Sequence, residues 1–293
     1  MSPKREITIG LIQMKPSSDT AKNLEQALLK IEEAAAQGAQ IIALPELFLS
    51  PYFCQRTDDQ AAFASAEPIP GPTTEALSAA ASKHGVVLIG GSIFEKGSDG
   101  KFYNTAAVFN PDGKLLGTYR KTHIPEDLLY HEKHYFAPGD TGIRVFDTAF
   151  GKIAALICYD QWYPEAARIA VLQGAEILFY PTAIGVIDSD VEENITGDWE
   201  QMWRNAQLGH AASNNVFVAA INRVGKEGSI AFWGGSFIAD PSSAVVAQGG
   251  HGEEIILARC DLARIEPLQK AWRFLENRRP EMYAPLMSGM KNT

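Results

Sequence analysis

The chain has 293 residues, of which 46% are hydrophobic, and its formal net charge at pH 7 is −9. This length and composition allow one large domain or two ordinary ones. An acidic surface repels phosphate backbones, so the charge argues against nucleic-acid binding. The sequence shows no signal-peptide pattern and no apolar run of about 20 residues, so we expect a cytoplasmic protein that spans no membrane.

The first half of the chain predicts an alternation of strands and helices. Apolar alternation, helical spacing and short apolar runs predict a strand at 7–14, a helix at 23–37, a strand at 41–44, a helix at 73–84 and a strand at 86–90. Strands at 103–109 and 114–120 then flank Asn110-Pro111-Asp112-Gly113, which is a strong hairpin signal.

The second half repeats this order. Its predicted elements are strands at 144–148 and 152–157, a helix at 164–173, a strand at 175–180, a helix at 198–214, a strand at 216–221 and a β-ribbon over 232–260. Each half contains the order strand–helix–strand–helix–strand, and no Pro/Ser-rich linker divides them. We therefore predict one α/β domain, in which two mixed sheets pack face to face with helices outside.

The predicted domain covers residues 1–262, and residues 263–293 form a C-terminal tail. This tail is basic and aromatic and has no clear core pattern. Trp272 and Phe274 would be unusual in a free tail, so we expect it to pack on a neighbouring subunit or on the flank of the domain.

The three cysteines, Cys54, Cys158 and Cys260, are far apart and odd in number. That pattern argues against a disulfide framework and against a zinc cluster. Cys54 and Cys260 have the character of ordinary buried thiols. Cys158 differs, because it ends an apolar strand and is followed at once by polar and aromatic residues.

Three reactive side chains directly follow apolar strands, namely Glu46, Lys121 and Cys158. Functional sites of α/β folds are built at the carboxyl ends of strands. A cysteine attacks as its thiolate, so Glu46 could take the thiol proton while Lys121 stabilises the thiolate and an oxyanion. The backbone N–H of Tyr159 would be a second oxyanion donor. Taken singly, however, each residue is more typical of a solvated, surface or core position.

The sequence around these residues resembles the nitrilase, or carbon–nitrogen hydrolase, superfamily. Four separated motifs carry the resemblance in order: LPELFLSPYFC (44–54), YRKTHIPED (119–127), HEKHYFAPGD (131–140) and ICYDQWYPEAAR (157–168). The first, third and fourth are most similar to the N-carbamoylputrescine amidohydrolase branch.

The resemblance implies a four-layer αββα sandwich and a Glu–Lys–Cys triad that matches Glu46, Lys121 and Cys158. It also implies a second glutamate, Glu132, that orients Lys121 or the substrate. It implies a homo-oligomer paired through the helix after Cys158, and no metal or organic cofactor. The substrate-binding residues that we predict are Tyr52, His131, Tyr159, Trp162, Thr182, Ala183 and Asp188.

The segment after Gly185 departs from the branch. There the branch typically has Gly-Ser-Glu-Pro-Gln-Asp, whose glutamate is expected to meet a distal ammonium, whereas this chain has Val186 and Ile187. Acidic residues follow at Asp188, Asp190, Glu192 and Glu193. Either they recognise a cationic amine from a shifted register, or they form a solvated loop and the pocket takes a less charged amide.

The first hypothesis is therefore cysteine-dependent hydrolysis of a small amide or N-carbamoyl amine, with N-carbamoylputrescine as the expected substrate. A second keeps the same triad but changes the substrate to another aliphatic amide or N-carbamoyl compound. A third, a non-catalytic binding protein, is disfavoured because Glu46, Lys121 and Cys158 are all present.

Overall fold

A computed structural model describes residues 5–188 and 197–288. Its α-helices are α1 (Thr20–Ala36), α2 (Pro72–His84), α3 (Glu132–Tyr135), α4 (Pro164–Leu172), α5 (Trp199–Asn214) and α6 (Ile265–Trp272). Its strands are β1 (Glu6–Gln13), β2 (Ile41–Ala43), β3 (Val87–Ile89), β4 (Ile93–Lys96), β5 (Phe102–Phe109), β6 (Leu115–Arg120), β7 (Glu126–Asp127), β8 (Tyr130–His131), β9 (Phe146–Thr148), β10 (Gly151–Ala155), β11 (Ile177–Pro181), β12 (Gly185–Ile187), β13 (Phe217–Ile221), β14 (Val224–Glu227), β15 (Ile230–Trp233), β16 (Phe237–Ala239), β17 (Val245–Gln248) and β18 (Glu254–Asp261).

Two mixed sheets form the centre of the fold. The first has the strand order β18-β1-β2-β3-β5-β4, with β6 also paired to β5, and its strands β1, β2 and β3 run parallel. The second has the order β17-β16-β13-β11-β10-β9, with β10, β11 and β13 parallel. The repeated order β1-α1-β2-α2-β3 and β10-α4-β11-α5-β13 explains why each sheet has a parallel centre.

The two sheets pack against each other, and helices cover their outer faces. In β2, Ile41 and Ala43 belong to the hydrophobic cluster shared with the second sheet, whereas Ile42 belongs to the cluster beneath α1 and α2. Alternate residues of a strand point to opposite faces, so a wholly apolar strand such as β2 is buried on both sides. On the other side, α5 packs on β13. The predicted αββα sandwich is confirmed.

Two small sheets flank this sandwich. The β7–β8 hairpin leads directly into the one-turn helix α3, and β12, β15 and β14 form a separate antiparallel sheet. Across the described ranges, 5–188 and 197–288, no helix has the length and apolar character needed to cross a membrane.

The segment that follows β18 begins well packed and ends exposed. Leu262 and Ile265 are buried, and Ile265 opens α6, a helix that the sequence pattern did not predict. Pro267 lies in the first turn of α6, where a missing N–H breaks no helical hydrogen bond. Beyond it, Trp272 is 60% exposed and stacks on Phe274. The division at residue 262 stays a prediction.

Candidate active site

Cys158 lies at a sharp junction between the segment that follows β10 and a 3₁₀ helix that begins at this residue. Its φ is 42°, a left-handed conformation that non-glycine residues rarely adopt unless their surroundings hold them there. The buried carboxylate of Asp160 accepts the backbone N–H before Cys158 at 3.0 Å. It also accepts the backbone N–H of His123 at 3.0 Å and the O–H of Tyr119 at 2.7 Å. Asp160 therefore joins the Cys158 turn to the segment that carries Lys121.

Lys121 lies between two carboxylates, and none of the three side chains is exposed. Its Nζ donates to Glu46 Oε1 at 2.9 Å and to the two oxygens of Glu132 at 2.8 and 2.6 Å. Asn104 Nδ2 also donates to Glu46 Oε1 at 2.8 Å, and the Tyr52 O–H donates to Glu132 Oε1 at 2.7 Å. Glu46 Oε2 is buried without a hydrogen-bond partner among the described residues. This oxygen is therefore free to receive a proton.

The backbone around Lys121 is fixed by the turn that follows α3. Lys121 N–H donates to Asn104 O at 2.8 Å, and Gly139 N–H donates to Lys121 O at 2.8 Å. A Cβ on Gly139 would lie 2.1 Å from Arg120 O, so only glycine permits this close approach. The "PGD" turn of the sequence therefore holds the end of β6 in place.

Burial controls the protonation of this site. It raises the pKa of the Cys158 thiol well above its ordinary value; Glu46 raises it further and Lys121 opposes the rise. Burial also raises the pKa of Glu132 to about 7, because Lys121 offsets it only in part and Glu46 adds to it. For Lys121, burial favours the neutral form, but Glu132 and Glu46 outweigh it and hold the pKa well above its ordinary value. The resting site thus has a protonated thiol, a charged ammonium and a carboxyl that titrates near neutrality.

A buried arginine contacts the backbone next to Glu46. Arg223 Nη2 donates to Glu46 O at 2.8 Å and to Leu47 O at 2.7 Å, and Nη1 donates to both carboxylate oxygens of Glu227 at 3.0 Å. Glu227 in turn accepts the backbone N–H of Tyr52 at 2.6 Å. No sequence pattern predicts the Arg223–Glu227 pair at this place, because Arg223 and Glu46 are 177 positions apart.

Cys158 opens into a pocket of about 380 Å³. The described residues that line it are mostly apolar or aromatic: Pro125, Asp127, Leu128, Tyr130, Cys158, Tyr159, Trp162, Ala183, Ile184, Gly185, Ile187, Trp199, Met202 and Trp233. Cys158 Sγ lies 3.9 Å from Ala183 O, and the Gly185 N–H donates to the Tyr130 hydroxyl at 3.1 Å. The pocket is large enough for a small aliphatic molecule.

The structure places Tyr159, Trp162 and Ala183 in this pocket wall and the other predicted substrate-binding residues outside it. Tyr52 is buried against Glu132, and His131 Nδ1 lies 2.9 Å from the carboxylate of Glu126. The Thr182 hydroxyl donates to Tyr180 O at 2.9 Å, and Asp188 is paired with Lys226 at 3.1 Å. The predicted acids Asp190, Glu192 and Glu193 lie outside the described residues.

Comparison with known proteins agrees with this geometry. Residues 8–270 match the family model of the carbon-nitrogen hydrolases. The chain belongs to the carbon–nitrogen hydrolase family. It is 42% identical to an N-carbamoylputrescine amidase of Arabidopsis thaliana, over 97% of this chain and 96% of that protein. It is 38% identical to a citrullinase of Francisella tularensis, over 94% and 96%. A solved carbon–nitrogen hydrolase of Helicobacter pylori G27 superposes with a TM-score of 0.88 at 36% identity, covering 98% of this chain and all of the other.

The protein is therefore an enzyme that hydrolyses a carbon–nitrogen bond, and its substrate is a small amide-type molecule. In the part of the chain that the structure describes, no group of three His, Cys, Asp or Glu side chains is arranged to hold a metal ion. The contacts of two further polar residues of this hydrolase could not be predicted from the sequence. Asp160 stands inside the quoted CYDQW motif and Asn104 inside a predicted strand, but neither position by itself signals what the side chain contacts.

Proposed function

We propose that the hydrolase uses Cys158 as nucleophile, Glu46 as general base and acid, and Lys121 to stabilise developing negative charge. The observation that carries this proposal is the Lys121 ammonium held at 2.9 Å from Glu46, beside a thiol on which both charges act. A protonated thiol needs a base, and the unpaired Oε2 of Glu46 supplies one. Glu132 also accepts hydrogen bonds from Lys121, and its role is to position that ammonium.

The reaction then takes two displacement steps. The Cys158 thiol gives its proton to Glu46 as sulfur attacks the carbonyl carbon of a ureido or amide group, and Lys121 and the Tyr159 N–H stabilise the oxyanion. As this adduct collapses, the C–N bond breaks, the leaving nitrogen takes the proton from Glu46 and departs as ammonia, and a covalent acyl- or carbamoyl-cysteine remains. Water, deprotonated by Glu46, attacks the same carbon and releases the thiol. From an N-carbamoyl amine the product is a carbamate, which breaks down to carbon dioxide and the amine.

N-carbamoylputrescine is the proposed substrate, so that the enzyme would form putrescine in polyamine biosynthesis. Support comes from relatives named N-carbamoylputrescine amidase, which are 38% to 42% identical over 97% of this chain. The apolar walls of the pocket suit a short methylene chain. A cytoplasmic location, a homo-oligomeric state and a lack of nucleic-acid and membrane partners remain predictions.

Citrulline is the second candidate substrate, because a relative at 38% identity is named a citrullinase. Citrulline also ends in a ureido group, but its other end carries both an ammonium and a carboxylate.

Ammonia release from a substrate panel tests the proposal. The panel contains N-carbamoylputrescine, citrulline, N-carbamoyl-β-alanine, a simple aliphatic amide and a nitrile, with Cys158→Ala as the blank. We expect the largest kcat/KM for N-carbamoylputrescine and none in the blank. A preference for citrulline or the plain amide would keep the mechanism and reject the substrate. Turnover by Cys158→Ala would reject the nucleophile.

A further inference from the structure

The charged residues on the described wall of the pocket have one sign. Among its described lining residues, Asp127 is the one carboxylate, and no lysine, arginine or histidine lines the wall. Such a wall favours a substrate with a positive charge and disfavours an anionic one. Three indole rings, of Trp162, Trp199 and Trp233, share this wall with Asp127. Indole faces attract cations, so they reinforce the same preference.

Unlike its acidic neighbours, Asp127 also has no hydrogen-bond or ion-pair partner among the described residues. The adjacent Glu126 is occupied by His131 at 2.9 Å, and Asp188 by Lys226 at 3.1 Å. No hydrogen bond or ion pair joins the Asp127 side chain to any residue of 5–188 or 197–288. The β7–β8 hairpin thus presents to the pocket that contains Cys158 a carboxylate that is paired with no described residue.

We propose that Asp127 binds the distal ammonium of the substrate and so selects an N-carbamoyl amine with a cation at its far end. This inference rests on the proposed function, since it concerns the same pocket. It assigns ammonium recognition to the β7–β8 hairpin rather than to the segment after Gly185. There, the branch glutamate is replaced by Ile187, an apolar residue of the pocket wall.

The test compares two ureides of equal length, N-carbamoylputrescine and N-pentylurea, which replaces the ammonium with a methyl group. For Asp127→Asn we expect KM for N-carbamoylputrescine to rise about tenfold, the scale of one hydrogen bond to a charged group, with kcat and the values for N-pentylurea unchanged. The matched control is Glu126→Gln, which neutralises the adjacent acid and keeps the wild-type preference.

The outcomes separate this inference from the proposed function. If wild type hydrolyses neither ureide, the proposed substrate fails, and 6-aminohexanamide and heptanamide then test ammonium recognition in the same variants. If wild type has the same KM for the cationic compound of a pair as for the neutral one, the inference is overturned. It is also overturned if Asp127→Asn keeps the preference while joint neutralisation of Asp190, Glu192 and Glu193 removes it.

A separate observation concerns the backbone that carries Glu46. Leu47, the next residue, has a φ of 46°, in the left-handed region that is unfavourable for a branched side chain. Arg223 donates to the carbonyls on both sides of this point and, at 3.3 Å, to Ser50 O. Its partner Glu227 accepts the N–H of Tyr52, so the pair contacts the Glu46–Tyr52 segment at both ends.

The geometry points to Arg223 and Glu227 as positioning residues for the general base. Both ends of the segment reach the Lys121 cluster, because Glu46 and the Tyr52 hydroxyl contact Lys121 and Glu132 respectively. A shift of the segment would therefore move the base and its neighbour together. Misplacement of a reacting group by about 1 Å can cost about 100-fold in rate.

Arg223→Lys tests this role, because lysine keeps the charge but cannot donate to several carbonyls from a planar fork. We expect kcat to fall about 100-fold while KM stays within about twofold. The control is Ile238→Val, a buried change that lowers stability in β16, a strand that carries none of the site residues named above. If Arg223→Lys fails to fold, Glu227→Gln, which keeps an acceptor for Tyr52, is expected to lower kcat in the same way. The positioning role is overturned if Arg223→Lys or Glu227→Gln folds and keeps the wild-type kcat. It is also overturned if Ile238→Val loses as much kcat as these variants when their melting temperatures are equal.

Discussion

Replacing Lys121 with methionine removes the ammonium between Glu46 and Glu132 and keeps a side chain of similar length. Both carboxylates remain fully buried, with Asn104 and Tyr52 as donors. Removing one partner from a buried ion pair costs about 3–5 kcal/mol, because the remaining charge is left uncompensated. We expect a loss of this size in the free energy of unfolding at pH 8.

The loss of unfolding free energy caused by Lys121→Met should become smaller as the pH falls. Lys121 lowers the pKa of Glu132, so without it the already raised pKa of Glu132 in the folded protein rises further above its unfolded value, and the folded state binds more protons. Stability from a raised pKa is fully present below the unfolded pKa and is lost as the pH rises through the folded pKa. Protonation of Glu132 recovers about 1.4 kcal/mol for each pH unit between its unfolded and folded pKa values.

Urea unfolding of wild type and Lys121→Met at pH 5 and pH 8 measures both effects. The control is Lys83→Met, which breaks the exposed Lys83–Glu32 pair at 3.0 Å and should change the free energy of unfolding little at either pH, because solvent screens this pair. If Lys121→Met is already unfolded at pH 8 without urea, its free energy of unfolding is measured at a series of pH values that starts at 5 and increases. A variant as stable as wild type at pH 8, or a loss that grows toward pH 5, would refute the uncompensated-charge argument.

Three further predictions concern the same site. Cys158→Ala should abolish turnover and leave the melting temperature nearly unchanged, which activity assays and thermal unfolding would check; a large drop in melting temperature would instead give Cys158 a structural role. Glu132→Gln should move the acidic limb of the kcat/KM–pH profile to lower pH, because a negative charge that favours protonation of the cluster is lost; an upward shift contradicts this. Asp160→Asn should lower the free energy of unfolding by about 1–3 kcal/mol, because the NH2 group of asparagine replaces an oxygen that accepts a backbone N–H. The same change should lower kcat more than KM. An unchanged kcat would argue against a link between Asp160 and the Cys158 turn.

Much of the architecture was predictable, because the fold follows local patterns. Apolar runs such as 41–44 and helical spacing between them predict the strands and helices of both halves, and their repeated order predicts the two sheets. The side chains that meet at strand ends, Glu46, Lys121 and Cys158, were predictable from position and resemblance together. Their convergence is seen in the Glu46–Lys121 contact and in the electrostatic effect of both on the Cys158 thiol.

The supporting contacts were not predictable, because they join distant positions through backbone atoms. Arg223 contacts Glu46 O and Asp160 contacts His123 N, and no periodicity encodes such a pairing. Motif membership also proved a poor guide to pocket lining. His131 stands in a quoted motif yet pairs with Glu126, whereas Asp127, at the end of another motif, faces the pocket.

Acid-quenched mass spectrometry of the enzyme during turnover is the most direct test of covalent catalysis by Cys158. Wild type and Glu46→Gln are mixed with N-carbamoylputrescine, quenched and digested. We expect an adduct on the peptide that contains Cys158, with the mass of the substrate less ammonia. Turnover without any adduct on that peptide, or an adduct on another residue while Cys158→Ala still releases ammonia, would contradict a covalent mechanism at Cys158.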